Sequence, residues 1–386
     1  MDFDDPMPTV TQISDVVKEA ANHAGFNLAG IAPVREFDEL EYFPEWIAAG
    51  NAGEMTYMEA RDAEGHLKRA SLKNAAPWAR SVIVCAINYN TAEPYSTQQN
   101  DPQHGWISRY AWGREDYHHA VLRRLRLVEA NLREAVTANQ HGLPSENHSA
   151  DHWPLLTDHF QSRCYVDTGP LVERVYAKYA GVGWIGKNTC IINQKLGSWL
   201  FLGVILTSIE LQPDLPAPDR CGTCTRCIDA CPTDALIAPY QLDSNKCISY
   251  LTIEKRGAIL EEMREAMGRQ VFGCDLCQDV CPWNRKAPVT IAPEFEPRPE
   301  LVNPALEWLA QMSAKEFRQV FQGSPVRRAK LSGLRRNAVF AMGNSGEQKF
   351  VTLLDNLAED KDEIVAESAK WSKRKLTRLD VPADRH

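Results

Sequence analysis

Cys221-Gly-Thr-Cys224-Thr-Arg-Cys227-Ile-Asp-Ala-Cys231-Pro232 holds three cysteines separated by two residues each, a fourth after three more, and a proline behind it. Thiolates at this spacing wrap three irons of a cubane, and the cysteine before proline turns away to a second cluster. A second ligand set must therefore exist. Cys247, followed by Cys274-x2-Cys277-x3-Cys281-Pro282, provides it. The pseudo-twofold relation of the halves assigns Cys221, Cys224, Cys227 and Cys281 to one [4Fe-4S] cluster, and Cys231, Cys247, Cys274 and Cys277 to the other. The long insertion between Cys247 and Cys274 is the one departure from the pattern. Paired C-x2-C motifs also bind zinc, but zinc does not require a three-then-one run, and both halves here end in Cys-Pro.

Around this centre lie 386 residues, enough for two or three domains. A hydrophobic fraction of 44% and a charged fraction of 24% exclude a disordered or fibrous chain. The remaining three of eleven cysteines, Cys85, Cys164 and Cys190, are isolated, and Cys85 within Ser81–Ile87 (SVIVCAI) reads as a small core residue. Lys plus Arg number 43 against 51 Asp plus Glu, a net charge of −8, so there is no global electrostatic case for nucleic acid. The N-terminus, MDFDDPMPTV, carries acids where a secretory signal would carry Lys or Arg. Trp199 to Leu206, the longest apolar run, is far too short to span a bilayer. A cytoplasmic protein with no membrane association is expected.

Along the chain, Ile13 to Ala24 has helical apolar spacing with Ser14 as a possible cap, and Tyr117 to Val136 reads as a long amphipathic helix. Strands are expected at 81–87, 163–167 and 198–206. The proline-rich stretches 212–219 and 287–304 bracket the cysteine region. Beyond them, 325–343 and 350–370 read as two amphipathic helices, and residues 321–386 hold thirteen basic against nine acidic side chains. The fold class is thus α+β: an N-terminal α/β domain over 1–211, a bacterial-ferredoxin-like domain with two [4Fe-4S] clusters over 212–295, and a C-terminal α-helical segment over 296–386. Two adjacent cubanes make an electron relay, and the first 210 or so residues imply a redox reaction beside them. That domain has no G-x-G-x-x-G after a strand and no phosphate-binding G-x-x-x-x-G-K-[ST]. Its Gly181-Val-Gly183-Trp-Ile-Gly186-Lys187 stretch follows a predicted helix and reads as a close backbone approach to something bulky.

Several stretches in order carry a resemblance: Arg109-Tyr-Ala-Trp-Gly-Arg-Glu-Asp-Tyr-His118, Val166-Asp167-Thr-Gly-Pro-Leu-Val-Glu-Arg174, Ala180-Gly-Val-Gly-Trp-Ile-Gly-Lys187-Asn188, Cys247-Ile-Ser-Tyr-Leu-Thr-Ile-Glu254 and Phe272-Gly-Cys-Asp-Leu-Cys-Gln-Asp-Val-Cys-Pro-Trp-Asn284. They closely resemble the epoxyqueuosine reductases, and the resemblance covers nearly the whole chain. It implies an oxidoreductase that reduces epoxyqueuosine to queuosine at the wobble position of tRNA with a GUN anticodon, the last step of that modification. The N-terminal domain would bind cobalamin, reduced through the two [4Fe-4S] clusters by a low-potential donor that the sequence does not identify. The family's proton donor falls on Asp167, for which helix capping ahead of Pro170 is the plainer alternative.

The same resemblance points to Arg69, Ile191, Leu202 and Ser249 as cobalamin contacts, each with an ordinary exposed or core role as its alternative. Lys187 and Asn188 would reach the nucleotide tail or cap a turn. With no D-x-H-x-x-G present, the cobalt would lack a protein ligand. The basic tail resembles that family's HEAT-like repeat, with Arg327, Arg328, Lys330, Arg335 and Arg336 as tRNA contacts, followed by Lys370, Lys373, Arg374 and Lys375. Trp112, Tyr117 and His118 would stack near the flipped base or belong to the core. A monomer is expected. Three competing readings are a corrinoid reductive dehalogenase, a ferredoxin-type electron carrier with a docking domain, and a zinc-stabilised tRNA-binding protein. The first usually carries a twin-arginine signal and has no use for a basic tail.

Overall fold

The computed structural model describes residues 9–138 and 160–379. Helix α1 (Val10–His23) starts at a reciprocal cap, in which the Thr9 side chain accepts from the Gln12 N–H and the Gln12 side chain from the Thr9 N–H. Ser14, expected as the cap, is instead buried inside the first turn. Its Oγ donates to the Val10 carbonyl at 2.8 Å and accepts from the Gln212 N–H at 2.9 Å. The hydroxyl thereby ties α1 to the chain that leaves the sheet.

In chain order there follow β1 (Leu28–Pro33), β2 (Ser81–Asn88), β3 (Trp106–Ile107), α2 (Tyr117–Ala138), β4 (Ser162–Tyr165), α3 (Glu173–Tyr179), β5 (Trp184–Ile185), β6 (Ile191–Ile192) and β7 (Leu200–Thr207). The main sheet has the order β1-β2-β7-β4 and is antiparallel at every pairing. Strand β2 is buried along its whole length because both faces are covered. Ile83, Cys85 and Ile87 point into a core shared with α1 and α2, while Val82, Val84 and Ala86 face α3. Cys85 is thus the small core residue the strand pattern implied. At Gly203 of β7 a Cβ would lie 2.8 Å from Leu125 and Val121 of α2, so only glycine lets the long helix cross here.

The cysteine region contributes α4 (Arg226–Asp229), α5 (Ile248–Ile253), β8 (Gln270–Phe272) and α6 (Leu276–Asp279). The equivalent short helices α4 and α6 pack against each other. The tail contains α7 (Leu306–Gln311), α8 (Lys330–Ser345), α9 (Val351–Leu357) and α10 (Glu363–Leu379). The helix expected over 325–343 is a 3-10 turn, Pro325–Ala329, then α8, with Lys330 at φ 63° marking the corner. The one expected over 350–370 breaks before Glu363 into α9 and α10.

The sequence boundaries at 211/212 and 295/296 mark composition, while the cores run across them. β3 pairs parallel with β8, and Trp106, Ile107 and Trp112 join Val271, Phe272 and the tail's Leu306 and Val339 in one apolar group. Ala292 and Phe295 return to the core of the first region. Among the described residues no helix is long and apolar enough to cross a membrane.

Candidate functional site: cysteine centre and Asp167 loop

The eight motif cysteines are all free thiols. Cys281 lies within electrostatic reach of Cys221 and Cys227, and Cys227 of Cys221 and Cys224. Cys274 is in reach of Cys247 and Cys231, and Cys277 of Cys274 and Cys247. Cys227 sits on α4 and Cys277 on α6, with Cys231 and Cys281 just past each helix. Among the described residues no three His, Cys, Asp or Glu side chains converge on one ion position. Two sets of four thiols at this spacing have the donor chemistry of cubanes. A further observation fits such a group. The buried Trp184 indole N–H has no partner among the described residues, yet belongs to the apolar group of Cys281, against which Cys221 and Trp283 pack. A cluster sulfur there would accept it.

Two side chains from outside the motif and one within it hold the cysteine loops. Lys187 Nζ donates to the carbonyls of Gly222 at 2.7 Å and Cys224 at 3.0 Å, and Asn188 donates to the Cys277 carbonyl at 3.3 Å. Both residues therefore brace the cysteine loops, and Asn188 also caps the turn after it, its Oδ1 accepting from the Cys190 N–H at 3.2 Å, so neither stands free for a nucleotide tail. Buried Asp275 accepts from the Trp106 indole at 2.9 Å and the Arg109 N–H at 2.8 Å, which anchors the 106–109 segment to the second ligand loop. The glycines of 181–187 approach the chain itself. A Cβ at Gly183 would come within 2.5 Å of the Ile192 carbonyl, so the tight β5–β6 pair fills the space assigned to something bulky.

Asp167 lies on the loop between β4 and α3, with its backbone in the left-handed region at φ 57°. It does not cap α3, whose N-cap is Val172 with no side-chain bond. Instead the Asp167 carboxylate is exposed and accepts from the Tyr117 hydroxyl at 2.9 Å through Oδ2. Burial, then the Asp167 charge, hold the Tyr117 phenol well above its usual range, so it stays a donor. The Tyr117 ring stacks on Phe201 of β7 at 4.4 Å. Below the loop the Asp167 N–H donates to Glu173 Oε1 at 2.8 Å.

Burial, then the Asp167 charge, push the Glu173 carboxyl up to about 8, from an ordinary value of 4.5. A carboxyl raised on folding holds a proton that the unfolded chain has released, so stability falls as pH rises between these values. Glu173→Gln keeps the acceptor oxygen and removes the titration. It should melt with the parent chain near pH 5 and above it near pH 8.5. A variant melting below the parent at the higher pH would contradict this account.

Arg69 closes the loop from the other side. Its guanidinium donates to the Gly169 carbonyl at 2.9 Å and the Tyr57 carbonyl at 2.6 Å, and lies 5.8 Å from the Tyr57 ring centre. Arg328 covers the same ring at 5.5 Å. The exposed tail corner Arg327–Lys330 therefore adjoins the Asp167 loop. Ile191 and Leu202 share the apolar group on the α3 side of the sheet, Leu202 half-buried at the start of β7. Ser249 is half-buried two residues past Cys247, with no hydrogen bond on its hydroxyl among the described residues.

A family model described as "4Fe-4S double cluster binding domain" matches residues 220–284, and one described as "Epoxyqueuosine reductase QueG, DUF1730" matches residues 69–168. The epoxyqueuosine reductase of Synechocystis sp. is 44% identical over 80% of this chain and 98% of its own length. That of Xanthomonas campestris pv. campestris is 36% identical over 95% and 96%. The chain belongs to the epoxyqueuosine reductase family. A crystal structure of epoxyqueuosine reductase with a tRNA-Tyr stem loop carrying epoxyqueuosine superposes with a TM-score of 0.80 at 30% identity, over 95% of this chain and 91% of that one. The Bacillus subtilis epoxyqueuosine reductase with its catalytic Asp loop swung out of the active site gives a TM-score of 0.79 at 29% identity and the same coverage.

Within this family framework some expected contacts are closed. Arg336 is 1% exposed, and its guanidinium is consumed by the carbonyls of Leu251, Lys255 and Gly257 and by Asn337 Oδ1. It is a structural arginine, and no phosphate reaches it. Arg335 is paired to Asp360 and donates to the Ala310 carbonyl. Lys373 and Lys375 pair with Asp355 and Glu265, while Lys370 and Arg374 are exposed. Trp112 is fully buried with its indole on the Ile107 carbonyl, so it stacks on no base. His118 lies half-buried against Tyr117 and bonds Asp116.

Sequence reasoning missed Tyr57, Glu173 and Cys190. Cys190, read as isolated, lies within electrostatic reach of Cys277 and of Cys281, hence near both cysteine groups. Only the chain's return from β6 brings it there, and no local motif signals it.

Proposed function

We propose that the chain reduces epoxyqueuosine to queuosine at the wobble position of tRNA, as a cytoplasmic monomer using cobalamin and two [4Fe-4S] clusters. The observation that carries this reading is the exposed Asp167 carboxylate, held by Tyr117 on a loop that Glu173 and Arg69 fix, with Arg69 also holding Tyr57, two residues from the Met55 that packs on Cys247 and Cys274. Likeness to the reductase holding a modified tRNA stem loop supports the substrate.

Converting the epoxide to an alkene takes up two electrons and two protons and releases water. Cobalamin, when bound, supplies a strongly reducing cobalt centre able to open the epoxide carbon–oxygen bond, and the clusters supply its low-potential electrons. Arg69, Ile191, Leu202 and Ser249 are the residues we assign to hold the corrin, Ile191 and Leu202 as an apolar floor. Asp167 delivers a proton to the oxygen released when the ring opens. Tyr117 engages Oδ2, which leaves Oδ1 for the transfer. Glu173 fixes the loop backbone from below.

The exposed tail corner, Arg327 and Lys330, is assigned to the tRNA backbone, with Arg328 beside them held in a two-point pair by Glu254. Arg327→Ala/Lys330→Ala should weaken tRNA binding and flatten the dependence of log affinity on log salt by roughly 1.5, two phosphate contacts' worth. An unchanged slope would remove these side chains from the interface. The overall reading is tested by anaerobic metal analysis and an absorption spectrum of reconstituted protein, then nucleoside analysis of tRNA after turnover. Iron and cobalt near an eight-to-one ratio with queuosine formed is the expected result. Full iron content with no cobalamin affinity would favour an electron carrier and overturn it.

A further inference from the structure

The clusters need an external reductant, and the molecule carries a surface suited to one. The group of Cys231, Cys247, Cys274 and Cys277 faces inward: Cys247 and Cys274 pack with Met55 in an apolar core, two residues from the Tyr57 that joins Arg69. The group of Cys221, Cys224, Cys227 and Cys281 is bordered by exposed cations. Arg220 precedes Cys221, Arg226 precedes Cys227, and Arg285 and Lys286 follow Cys281 by four and five residues.

None of these four has an ion-pair or side-chain hydrogen-bond partner among the described residues. The neighbouring acids are largely engaged. Asp219 accepts from the Tyr240 hydroxyl and the Cys221 N–H, Asp229 from Thr225 at 2.9 Å, and Asp279 from Ser96. Asp234 is exposed and has no side-chain partner among the described residues. Between α4 and α6, the helices beside the outer ligands, lies a concavity of about 440 Å³ lined by Arg226, Asp229, Ala230, Asp279, Val280 and Arg285. The whole chain, in contrast, carries −8.

Unpaired cations concentrated at one redox centre of an otherwise acidic protein steer a negatively charged partner to that centre and away from the rest of the surface. We propose that this face is the docking site of a small acidic electron-carrier protein, which passes electrons singly from its reduced redox centre to the outer cluster. The proposal rests on the reductase reading only in requiring that electrons enter from outside. Polynucleotide is the less fitting occupant because the tail corner that adjoins Asp167 lies on the inner cluster's side, through Tyr57.

The test is stopped-flow reduction of the oxidised, cluster-loaded enzyme under anaerobic conditions, with a reduced acidic [2Fe-2S] ferredoxin as probe and titanium(III) citrate as a small reductant. The second-order rate with ferredoxin should fall steeply with added salt. Arg226→Glu/Arg285→Glu should lower it at low salt about tenfold or more while leaving the titanium rate unchanged. Lys286→Glu, farther from any ligand, should lower it in the same sense and serves if the double variant loads its clusters poorly. A salt-independent ferredoxin rate, or variants within about twofold of the parent, would overturn the proposal. So would variants that lose tRNA affinity while keeping the ferredoxin rate, since the patch would then bind nucleic acid. Failure of titanium-reduced parent enzyme to convert epoxyqueuosine would instead count against the reductase reading, whatever the docking result.

Discussion

Asp167→Asn is expected to keep both clusters and cobalamin affinity yet lose turnover by about two to four orders of magnitude, the usual contribution of a positioned general acid. The substitution isolates the proton. Asparagine tolerates the left-handed backbone at φ 57°, so the loop is not strained by the exchange. Its amide oxygen still accepts from the Tyr117 hydroxyl, and the backbone N–H still meets Glu173. What disappears is a transferable proton beside the oxygen that the opened epoxide leaves behind. Single-turnover conversion of epoxyqueuosine tRNA, with iron, cobalt and tRNA affinity measured on the same preparation, reads this directly. A rate within about threefold of the parent would remove Asp167 from the chemistry and leave it a loop residue.

Arg336→Ala should cost about 3–5 kcal/mol of stability, because it empties a buried volume and strands the carbonyls of Leu251, Lys255 and Gly257 together with the Asn337 amide oxygen. Those carbonyls end and follow α5, directly after the ligand Cys247, so the guanidinium fastens the tail helix α8 to the cluster region. Burial pushes it down to about 10, which still leaves it charged at neutral pH. Thermal unfolding should move down by roughly 10 °C. Arg336→Lys, which keeps the charge and some donors, should lose less. Arg327→Ala on the exposed corner should not move the transition, as expected of a surface position. A melting point for Arg336→Ala indistinguishable from the parent would show the network to be dispensable.

The cysteine spacing alone picked out eight candidate cluster ligands, because C-x2-C steps place neighbouring corners of a cubane within local reach, while the crossing of Cys231 and Cys281 between the halves was read from the Cys-Pro pattern. The SVIVCAI strand was likewise legible, since a central strand covered on both faces must be apolar throughout. Asp167 was legible as a proton donor only through the Val166–Arg174 resemblance; read without it, D-T-G-P favoured a helix cap. The fold removes the cap by starting α3 at Glu173, and it brings Tyr117 to the carboxylate from fifty residues away. The tail shows the opposite limit. Arg335 and Arg336 sit in one basic run with Arg327 and Arg328, and charge patterning cannot tell a side chain that faces water from one turned onto carbonyls a helix away. Helical phase and the position of α5 decide that. Tyr57 and Cys190 were beyond the sequence for the same reason, since each meets a partner far along the chain, Arg328 and Cys277, and local spacing records only near neighbours; Glu173 lies six residues from Asp167, but no spacing rule signals a side chain that turns back onto a loop N–H.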